Sequence, residues 1–404
     1  MEWEKLFAPA AQVDSGSGII EILRLSEEPG VISLAGGFPA AEMFSLTEVR
    51  EIADRILATK GEVALQYGPT PGFTPLREYL SERMKKSFAA QVAPEEIVIT
   101  SGALQGLDLI CRVLLTPGDI VITEAPTYVG ALQTFSGFGA QVEEIPTDDE
   151  GMQVDLLAER LQELEKRGAQ PKFIYVIPSF QNPGGTTLST VRRRLLVDLA
   201  ASYGVPIVED SAYAELRFAG SSKPSLKSLD SGEGVVFLGT FSKILSPGLR
   251  LGWVAAPPAL AEKIISAKQT NDQCSSSLSQ YLALECGRQG IIDRQIENSK
   301  EILKKRAAAL VAGLAQYFPQ GTHWVEPEGG FFTWVTLPPT QGLDTGQLLR
   351  RAVVEEKVAY VAGCSFYAHG QGSNQLRLCF SYPPLENILL GTERLGKFFS
   401  AFYR

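Results

Sequence analysis

The sequence predicts an α/β fold: a large domain with a mainly parallel sheet covered by helices, followed by a smaller α/β domain. Between residues 95 and 290, short apolar runs typical of buried strands alternate with helical patterns, as in a parallel sheet with helices on both faces. Further elements follow: a long helical stretch at 290–318, strand-like runs near 329–337, 358–362 and 375–381, and a final helix at 385–402.

Length and composition support two domains. The chain has 404 residues, of which 45% are hydrophobic and 21% charged, which is enough for two sizeable cores. We expect residues 1–46 to contribute to the small domain, 47–290 to form the large domain, and 291–404 to complete the small one.

The first chemical motif is a strand that continues into a helix through a glycine turn, EEIVITSGALQGLDLI at 95–110. Such a turn directs free backbone N–H groups and the positive end of the helix dipole at an anion such as a phosphate. Within Ser101-Gly102-Ala103, Gly102 permits close approach, and the N–H groups of Ala103 and Leu104 are the predicted donors.

The segment KFIYVIPSFQNPGG at 172–185 is a predicted strand followed by a turn that contains Asn182. Its amide is a candidate donor to a phenolic oxygen, although Asn-Pro is also an ordinary way to open a turn. Taken alone, this segment favours turn chemistry over function.

The segment PIVEDSAYAEL at 206–216 is predicted to be a buried parallel strand with Asp210 at its carboxyl end and Tyr213 three residues later. Ligands of open α/β sheets bind at such ends. A carboxylate there can keep a pyridine nitrogen protonated, which makes the ring an electron sink. Strand alternation sends Glu209 to the opposite face. The competing interpretation is that Asp210 caps the next helix.

The strongest motif is GTFSKILSPGLRLGW at 239–253, where Lys243 lies among hydroxyl groups and glycines and Arg250 follows seven residues later. A lysine amine condenses with an aldehyde when its surroundings lower its pKa. We expect Thr240, Ser242 and Arg250 to hold a phosphate while Lys243 bonds to a carbonyl carbon. A solvated loop lysine is the alternative, and the upstream motifs argue against it.

Two further features concern a substrate. Arg377, in QLRLCFSYP, is the one charged residue of a strand-like run, and a guanidinium matches a carboxylate bidentately. An arginine on an edge strand that meets solvent is an equally good interpretation from the residues alone. Gly36 and Gly37, in SLAGGFP at 33–39, are explained adequately by turn geometry.

Together these segments resemble the fold-type I enzymes dependent on pyridoxal phosphate, specifically the class I and II aminotransferases, over nearly the whole chain. The segments SLAGGFP, ALQYGPTPG, SFQNPGG and SKILSPGLRLGW are most similar to the branch that holds 2-aminoadipate, kynurenine and aromatic aminotransferases. The resemblance implies a seven-stranded, mainly parallel sheet, pyridoxal 5'-phosphate as cofactor, amino acid and 2-oxo acid substrates, and a homodimer.

The resemblance also implies a role for each motif residue. Lys243 would bond to the cofactor, Asp210 would pair with the pyridinium nitrogen, and Tyr128, in EAPTYVG, would stack on the ring. Asn182 and Tyr213 would bind the ring hydroxyl oxygen. The residues implied to hold the phosphate are Ser101, Gly102, Ala103, Leu104, Thr240, Ser242, Arg250 and, from a second subunit, Tyr67. The residues implied to bind the substrate are Arg377, Asn182, Gly36 and Gly37.

Two departures from the family pattern affect these implications. Relatives that accept acidic side chains have an arginine where this chain has Ile20, in SGIIEIL at 17–23. Arg24 lies one helical turn further on the same predicted face, so aromatic or aliphatic donors are favoured and 2-aminoadipate stays possible. In the phosphate turn, Ala103-Leu104-Gln105 replaces the S-Q-Q of many relatives, which preserves backbone donors but not side-chain donors.

Other classes of function have less support. A net charge of −9 argues against nucleic-acid partners, and without an apolar run of 18 residues or an apolar leader we expect neither membrane spanning nor secretion. Five cysteines without a C-x-x-C pair fit reduced thiols in a cytosol. With only His323 and His369, no metal site is expected.

Two alternatives to an aminotransferase stay open. A lyase, decarboxylase or racemase uses the same fold and cofactor, which do not fix the bond that is broken. A non-catalytic ligand-binding domain, as in transcription regulators of this fold, is the other. Those regulators have an N-terminal winged-helix domain, for which we expect no room before residue 33.

Overall fold

A computed structural model describes residues 1–8, 24 and 28–403. Its strands are β1 (Ile32–Ser33), β2 (Ile97–Thr100), β3 (Ile120–Ala125), β4 (Gln141–Asp148), β5 (Gly151–Met152), β6 (Phe173–Val176), β7 (Ile207–Asp210), β8 (Val235–Thr240), β9 (Gly252–Ala255), β10 (His323–Trp324), β11 (Phe332–Thr336), β12 (Val358–Ala359), β13 (Val361–Ala362) and β14 (Gln375–Cys379).

The α-helices in the described ranges are α1 (Leu46–Ala64), α2 (Thr74–Phe88), α3 (Ala103–Leu114), α4 (Val129–Gly137), α5 (Val154–Lys166), α6 (Thr190–Ser202), α7 (Leu226–Leu229), α8 (Pro258–Asn271), α9 (Ser277–Arg288), α10 (Ile291–Tyr317), α11 (Thr345–Arg351) and α12 (Leu385–Ser400). Among these residues, no helix combines the length and apolarity needed to cross a membrane.

The large sheet has the strand order β2-β9-β8-β7-β6-β3-β4-β5. The five strands β8, β7, β6, β3 and β4 are parallel to one another, whereas β9 is antiparallel to both β8 and β2. This confirms the predicted mainly parallel sheet. The predicted count of seven strands is exceeded by the two-residue β5, which pairs with the end of β4 in an antiparallel turn.

Helices cover both faces of this sheet because successive strand residues point to opposite sides. On β3, Val121 packs with Leu107 of α3 and Phe135 of α4, whereas its neighbour Ile122 packs with Leu157 of α5 on the other face. Burial on both faces explains the apolar runs in the central strands, such as Phe173–Val176 in β6. The carboxyl ends of β6, β7 and β8 therefore meet at one edge, and so does that of β2, since β2 runs in the same direction as β8.

Two smaller sheets lie in the remainder of the described chain. One is antiparallel with the order β10-β11-β14-β13, and the other pairs β1 in parallel with β12. β14 is hydrogen-bonded on both sides, to β11 and β13, so the edge-strand interpretation of Arg377 is wrong. The pairing of β1 with β12 joins the N-terminal region to the C-terminal one. The division at residues 46 and 290 stays a proposal.

Candidate active site

A cavity of about 380 Å³ lies at the carboxyl edge of the large sheet, where residues that end or follow four strands converge. Ala103 follows β2, Asn182 follows β6, Asp210 ends β7, and Lys243 follows β8. The predicted site residues that line the cavity are Gly36, Gly37, Ala103, Leu104, Tyr128, Asn182, Asp210, Tyr213, Thr240, Ser242, Lys243, Arg250 and Arg377.

Asp210 lies in the floor of this cavity and is buried. The Tyr175 hydroxyl donates to its Oδ2 at 2.7 Å, whereas Oδ1 has no partner among the described residues. Burial raises the pKa of Asp210 to about 6, opposed by the bonds from Tyr175 and the Ala212 N–H and by the charge of Lys243. Asp210 is not a helix cap: the next short helix begins with Tyr213 as its N-cap. Glu209 faces away, accepting from the Lys227 N–H at 2.9 Å.

Lys243 lies three residues beyond the end of β8, and its Nζ donates to the Gly37 carbonyl oxygen at 2.9 Å. Burial lowers the pKa of the Lys243 amine to about 8, and the charges of Arg377 and Arg250 act in the same direction. A substantial fraction of this amine is therefore neutral near pH 8, which is the form that reacts with a carbonyl carbon.

The amino terminus of α3 forms one wall of the cavity. Its N-cap Gly102 has φ +93°, and a Cβ at this position would lie 2.6 Å from Arg250 Nη2, so glycine lets the guanidinium approach the turn. A Cβ on Gly252, in β9, would lie 2.7 Å from the Ala103 nitrogen. The first N–H groups of a helix have no intrahelical partner, so this turn and Arg250 together form a site suited to an anion.

Two hydroxyls complete the same wall. The Thr240 hydroxyl donates to Ser242 Oγ at 3.0 Å, and the Ser242 N–H donates to Thr240 Oγ1 at 3.1 Å. The Thr240 hydroxyl also lies 3.3 Å from the Leu251 carbonyl oxygen, and its single proton serves one acceptor at a time, so both hydroxyls are rotatable donors beside the cavity.

Arg377 and Asn182 approach each other from opposite sides of the cavity. Arg377 Nη1 donates to Asn182 Oδ1 and Nη2 to the Ala35 carbonyl oxygen, each at 2.7 Å. The guanidinium lies 4.0 Å from the centroid of the Phe332 ring and 5.1 Å from that of Phe366. Its Nε is buried and has no partner among the described residues, which leaves this donor for an anionic ligand.

Aromatic rings form much of the remaining wall. The Tyr213 ring packs edge-on against Phe331 and Phe332, with centroids 5.4 and 5.7 Å apart. Tyr128, the N-cap residue of α4, also lines the cavity. A Cβ on Gly37 would lie 2.5 Å from the Phe332 ring, so glycine lets this segment lie against that ring.

Four of the predicted residues that the structure describes do not line the cavity. Ser101 and Gly102 belong to the glycine turn but are not part of the cavity lining, and the Ser101 hydroxyl donates to Asp272 Oδ2 at 3.0 Å. Tyr67 is 74% exposed, and Arg24 is exposed. Ile20 lies outside the described residues.

Sequence reasoning missed two residues that shape the site, Tyr175 and Phe332. Tyr175 has the single polar side-chain atom of β6, and a buried tyrosine hydroxyl normally has a hydrogen-bond partner. That signal was available in the sequence, but the identity of the partner depends on how β6 and β7 lie together. Phe332 gave no local signal that separates it from an ordinary core residue.

Comparison with known proteins gives the family. The model of the family "Aminotransferase class I and II" matches residues 29–394. The chain belongs to this family. This aminotransferase is 45% identical over 397 residues to aromatic-amino-acid aminotransferase 1 of Thermococcus litoralis, which covers 98% of this chain and 94% of that protein.

Two solved structures are similar to this aminotransferase. Kynurenine aminotransferase of Pyrococcus horikoshii, in complex with PMP, KYN and KYA, has a TM-score of 0.95 at 41% identity, covering 100% of this chain and 99% of that one. LysN, the α-aminoadipate aminotransferase of Thermus thermophilus, complexed with N-(5'-phosphopyridoxyl)-L-leucine, has a TM-score of 0.91 at 39% identity with the same coverage.

The cofactor of this aminotransferase is pyridoxal phosphate, and the cavity fits each part of it. The unpaired Asp210 Oδ1 suits a protonated ring nitrogen. The glycine turn, which Arg250 approaches closely, suits a phosphate. Lys243, with its lowered pKa, suits an aldehyde carbon.

Proposed function

We propose that this aminotransferase moves an amino group between an L-amino acid with an aromatic or aliphatic side chain and a 2-oxo acid, by a ping-pong mechanism. The observation that supports it best is the convergence in one cavity of the partly neutral Lys243 amine, the unpaired Asp210 oxygen and the unpaired Arg377 Nε. These groups match the three chemical needs of the reaction: a base, an anchor for a ring nitrogen, and an anchor for a carboxylate.

Each group has one role in this proposal. Bound pyridoxal phosphate supplies the electron sink that acidifies the substrate α-carbon. Asp210 keeps the ring nitrogen protonated through Oδ1, and Asn182 and Tyr213 bind the ring hydroxyl oxygen. Arg377 holds the substrate α-carboxylate. Lys243 Nζ takes the α-proton and later returns a proton, because burial keeps part of the amine neutral.

The phosphate and the ring face are held by the remaining cavity residues. The N–H groups of Ala103 and Leu104, the hydroxyls of Thr240 and Ser242, and the Arg250 guanidinium bind the phosphate oxygens. Tyr128 covers the ring. An anchored phosphate fixes the position of the reacting carbon relative to Lys243, and such positioning lowers the entropic part of the barrier.

The preference for apolar side chains is supported by the cavity wall. Phe38, Val129, Phe332 and Val361 line it, and a distal carboxylate beside such a wall would be poorly solvated. The similarity to an aromatic-amino-acid aminotransferase agrees with this preference, whereas the similarity to LysN, an α-aminoadipate aminotransferase complexed with N-(5'-phosphopyridoxyl)-L-leucine, is compatible with both aliphatic and acidic side chains. Gln133, also in the lining, offers a neutral hydrogen-bonding group to a polar side chain.

We also propose a homodimer in which Tyr67 contributes to the partner's phosphate site. Tyr67 and three other apolar side chains on or after α1 are strongly exposed in a single chain: Leu57 at 45%, Val63 at 56%, Leu65 at 71% and Tyr67 at 74%. A cluster of this kind is typical of a subunit interface.

A cytosolic location is supported by the five free cysteines.

A half-reaction screen tests the proposal. The holoenzyme is mixed with single amino acids and no 2-oxo acid, and the absorbance of the aldehyde form of the cofactor is followed. An aminotransferase converts the cofactor stoichiometrically to its amine form and releases a 2-oxo acid. Catalytic turnover of the amino acid without an added 2-oxo acid would instead indicate a lyase, decarboxylase or racemase and would overturn the proposal.

A further inference from the structure

An ion pair outside the cavity, formed by the buried Lys268 and the half-buried Asp272, lies beside the phosphate turn. Lys268, near the end of α8, is 0% exposed, and its Nζ donates to both carboxylate oxygens of Asp272, at 2.6 and 2.8 Å. Nζ also lies 3.1 Å from Ser275 Oγ and 3.4 Å from Gln105 Oε1. Every donor of the ammonium group therefore has a partner.

Asp272 connects this pair to the turn. Its Oδ2 accepts from the Gln105 amide at 2.7 Å and from the Ser101 hydroxyl at 3.0 Å. Burial acts to raise the pKa of Asp272, but the bonds from Lys268, Gln105 and Ser101 leave that pKa below its usual value. Asp272 is thus an ionised acceptor shared by the strand end and the first turn of α3.

The ionised acceptor fixes the orientation of the Gln105 amide. With Nε2 directed toward Asp272 and toward Asn271 Oδ1 at 3.0 Å, Oε1 accepts from the Ser101 N–H at 2.7 Å and lies 3.4 Å from Lys268 Nζ. The Ser101 carbonyl oxygen lies 3.4 Å from Arg250 Nη2. All polar groups of Ser101 are therefore engaged, while the N–H groups of Ala103 and Leu104 point out of the first helical turn.

An ion pair of this kind is weak evidence of a role in stability. Burying the Lys268 charge costs desolvation energy that its attraction to Asp272 offsets only partly, and apolar replacements of buried pairs are often neutral or stabilising. This pair has another consequence. The Asp272 carboxylate also accepts hydrogen bonds from Ser101 and Gln105, and it can therefore keep the phosphate turn in one geometry.

We propose that Lys268 and Asp272 are positioning residues for the cofactor phosphate: they hold Gln105 and Ser101, and through them the N–H groups of Ala103 and Leu104 and the Arg250 guanidinium. The inference rests on the proposed phosphate site. It assigns Ser101 and Gln105 to the support of the turn and leaves direct contact with the phosphate to the cavity residues.

The test compares two ligands that differ only in the phosphate. Full-length apoprotein is titrated by equilibrium dialysis with pyridoxal phosphate and with pyridoxal, for the native chain, Ser101→Ala, and the combined variant Lys268→Met with Asp272→Asn, which removes both charges together. Lys397→Met is the control, because Lys397 pairs with Glu393 at the same four-residue spacing on the exposed surface of α12. Circular dichroism and thermal unfolding verify that each variant is folded.

We expect the combined variant and Ser101→Ala to bind pyridoxal phosphate about five- to tenfold more weakly than the native chain, the effect of one weakened hydrogen bond to a charged group, with pyridoxal binding unchanged. Equal weakening of both ligands, or no weakening of pyridoxal phosphate binding, would overturn the inference. If Ser101→Ala is folded and the combined variant is not, the comparison of pyridoxal phosphate binding with pyridoxal binding in Ser101→Ala decides whether the inference holds. A native chain that fails to bind pyridoxal phosphate at all would overturn the proposed function, and the inference with it.

Discussion

The Tyr175 hydroxyl donates a 2.7 Å hydrogen bond to Asp210 Oδ2, and the other carboxylate oxygen, Oδ1, is buried without a partner among the described residues. Burial holds the pKa of Tyr175 well above its usual range, so this hydroxyl stays a donor throughout the working pH range. One oxygen of Asp210 is thereby fixed and the other is left for the ring nitrogen of the cofactor.

Tyr175→Phe should raise the pKa of Asp210 above its present value of about 6, because the bond from Tyr175 lowers that pKa. Loss of one hydrogen bond to a charged group corresponds to about one pH unit. When affinity for pyridoxal phosphate is measured against pH, the pH at which affinity falls on the acid side should therefore rise by about that amount. Tyr360→Phe is the matched control, since this buried hydroxyl donates to the Thr345 carbonyl oxygen at 2.6 Å, in another part of the chain. An unchanged limb in Tyr175→Phe would contradict the positioning of Asp210 by Tyr175.

Lys243 should be the residue that bonds covalently to the cofactor. We expect purified protein to be yellow, and Lys243→Ala to lose turnover while it retains cofactor non-covalently. Borohydride reduction of the holoenzyme followed by peptide mapping locates the pyridoxyl group, and a label on any other lysine would refute the assignment.

The pH dependence of cofactor capture tests the lowered pKa of the same amine. Only neutral amine reacts, so the rate at which apoprotein captures pyridoxal phosphate should rise with pH and level off above the pKa of about 8. Asp210→Asn removes a charge that raises the pKa of Lys243, and the midpoint of the rise should move to lower pH. Stopped-flow absorbance measures both profiles, and a midpoint near 10, the value of an ordinary lysine, would exclude an activated amine.

The order of the motifs made much of the site predictable. Asn182, Asp210 and Lys243 follow neighbouring parallel strands, and the carboxyl ends of such strands meet at one edge of the sheet. The sequence therefore indicates their convergence without any knowledge of contacts.

Other relationships depend on contacts between distant segments. Arg377 had two equal interpretations until the sheet order placed β14 between β11 and β13. The Tyr175–Asp210 bond depends on the register of β6 and β7, which alternation alone does not define. Lys268 resembled any helical lysine, since nothing in its local sequence indicates full burial.

Tyr67→Phe should weaken cofactor retention by about 1 kcal/mol, the usual net value of one hydrogen bond, or more if the phosphate oxygen is charged. The reason is the proposed contribution of Tyr67 to the site of the partner subunit. Equilibrium dialysis measures retention, and sedimentation combined with an activity assay measures the active species. A fully active monomer would refute the shared site.

Substrate preference gives the most demanding prediction. The described cations that line the cavity are Lys243, Arg250 and Arg377, and the proposed function uses all three for the cofactor and the α-carboxylate. A distal carboxylate beside apolar side chains would be poorly paired, at a cost of about 1 to 3 kcal/mol if water is excluded. Leucine, phenylalanine and kynurenine should therefore exceed 2-aminoadipate in kcat/KM for the first half-reaction. Glutamate can still act as the second partner if Arg24 pairs with its distal carboxylate, so the prediction concerns ranking.

The family resemblance aligns Ile20, which lies outside the described residues, with an arginine of relatives that accept acidic side chains, and we propose that Ile20 contributes to this ranking. Ile20→Arg should raise kcat/KM for 2-aminoadipate about tenfold, equivalent to about 1.4 kcal/mol of transition-state binding, and leave leucine within about twofold. Stopped-flow half-reactions with the four amino acids measure both ratios. If 2-aminoadipate exceeds the others by tenfold or more in the native chain, the inference from Ile20 is wrong. Arg24→Ala then decides whether the arginine one helical turn further provides the missing cation, because only in that case does the variant lose its preference for the acidic substrate.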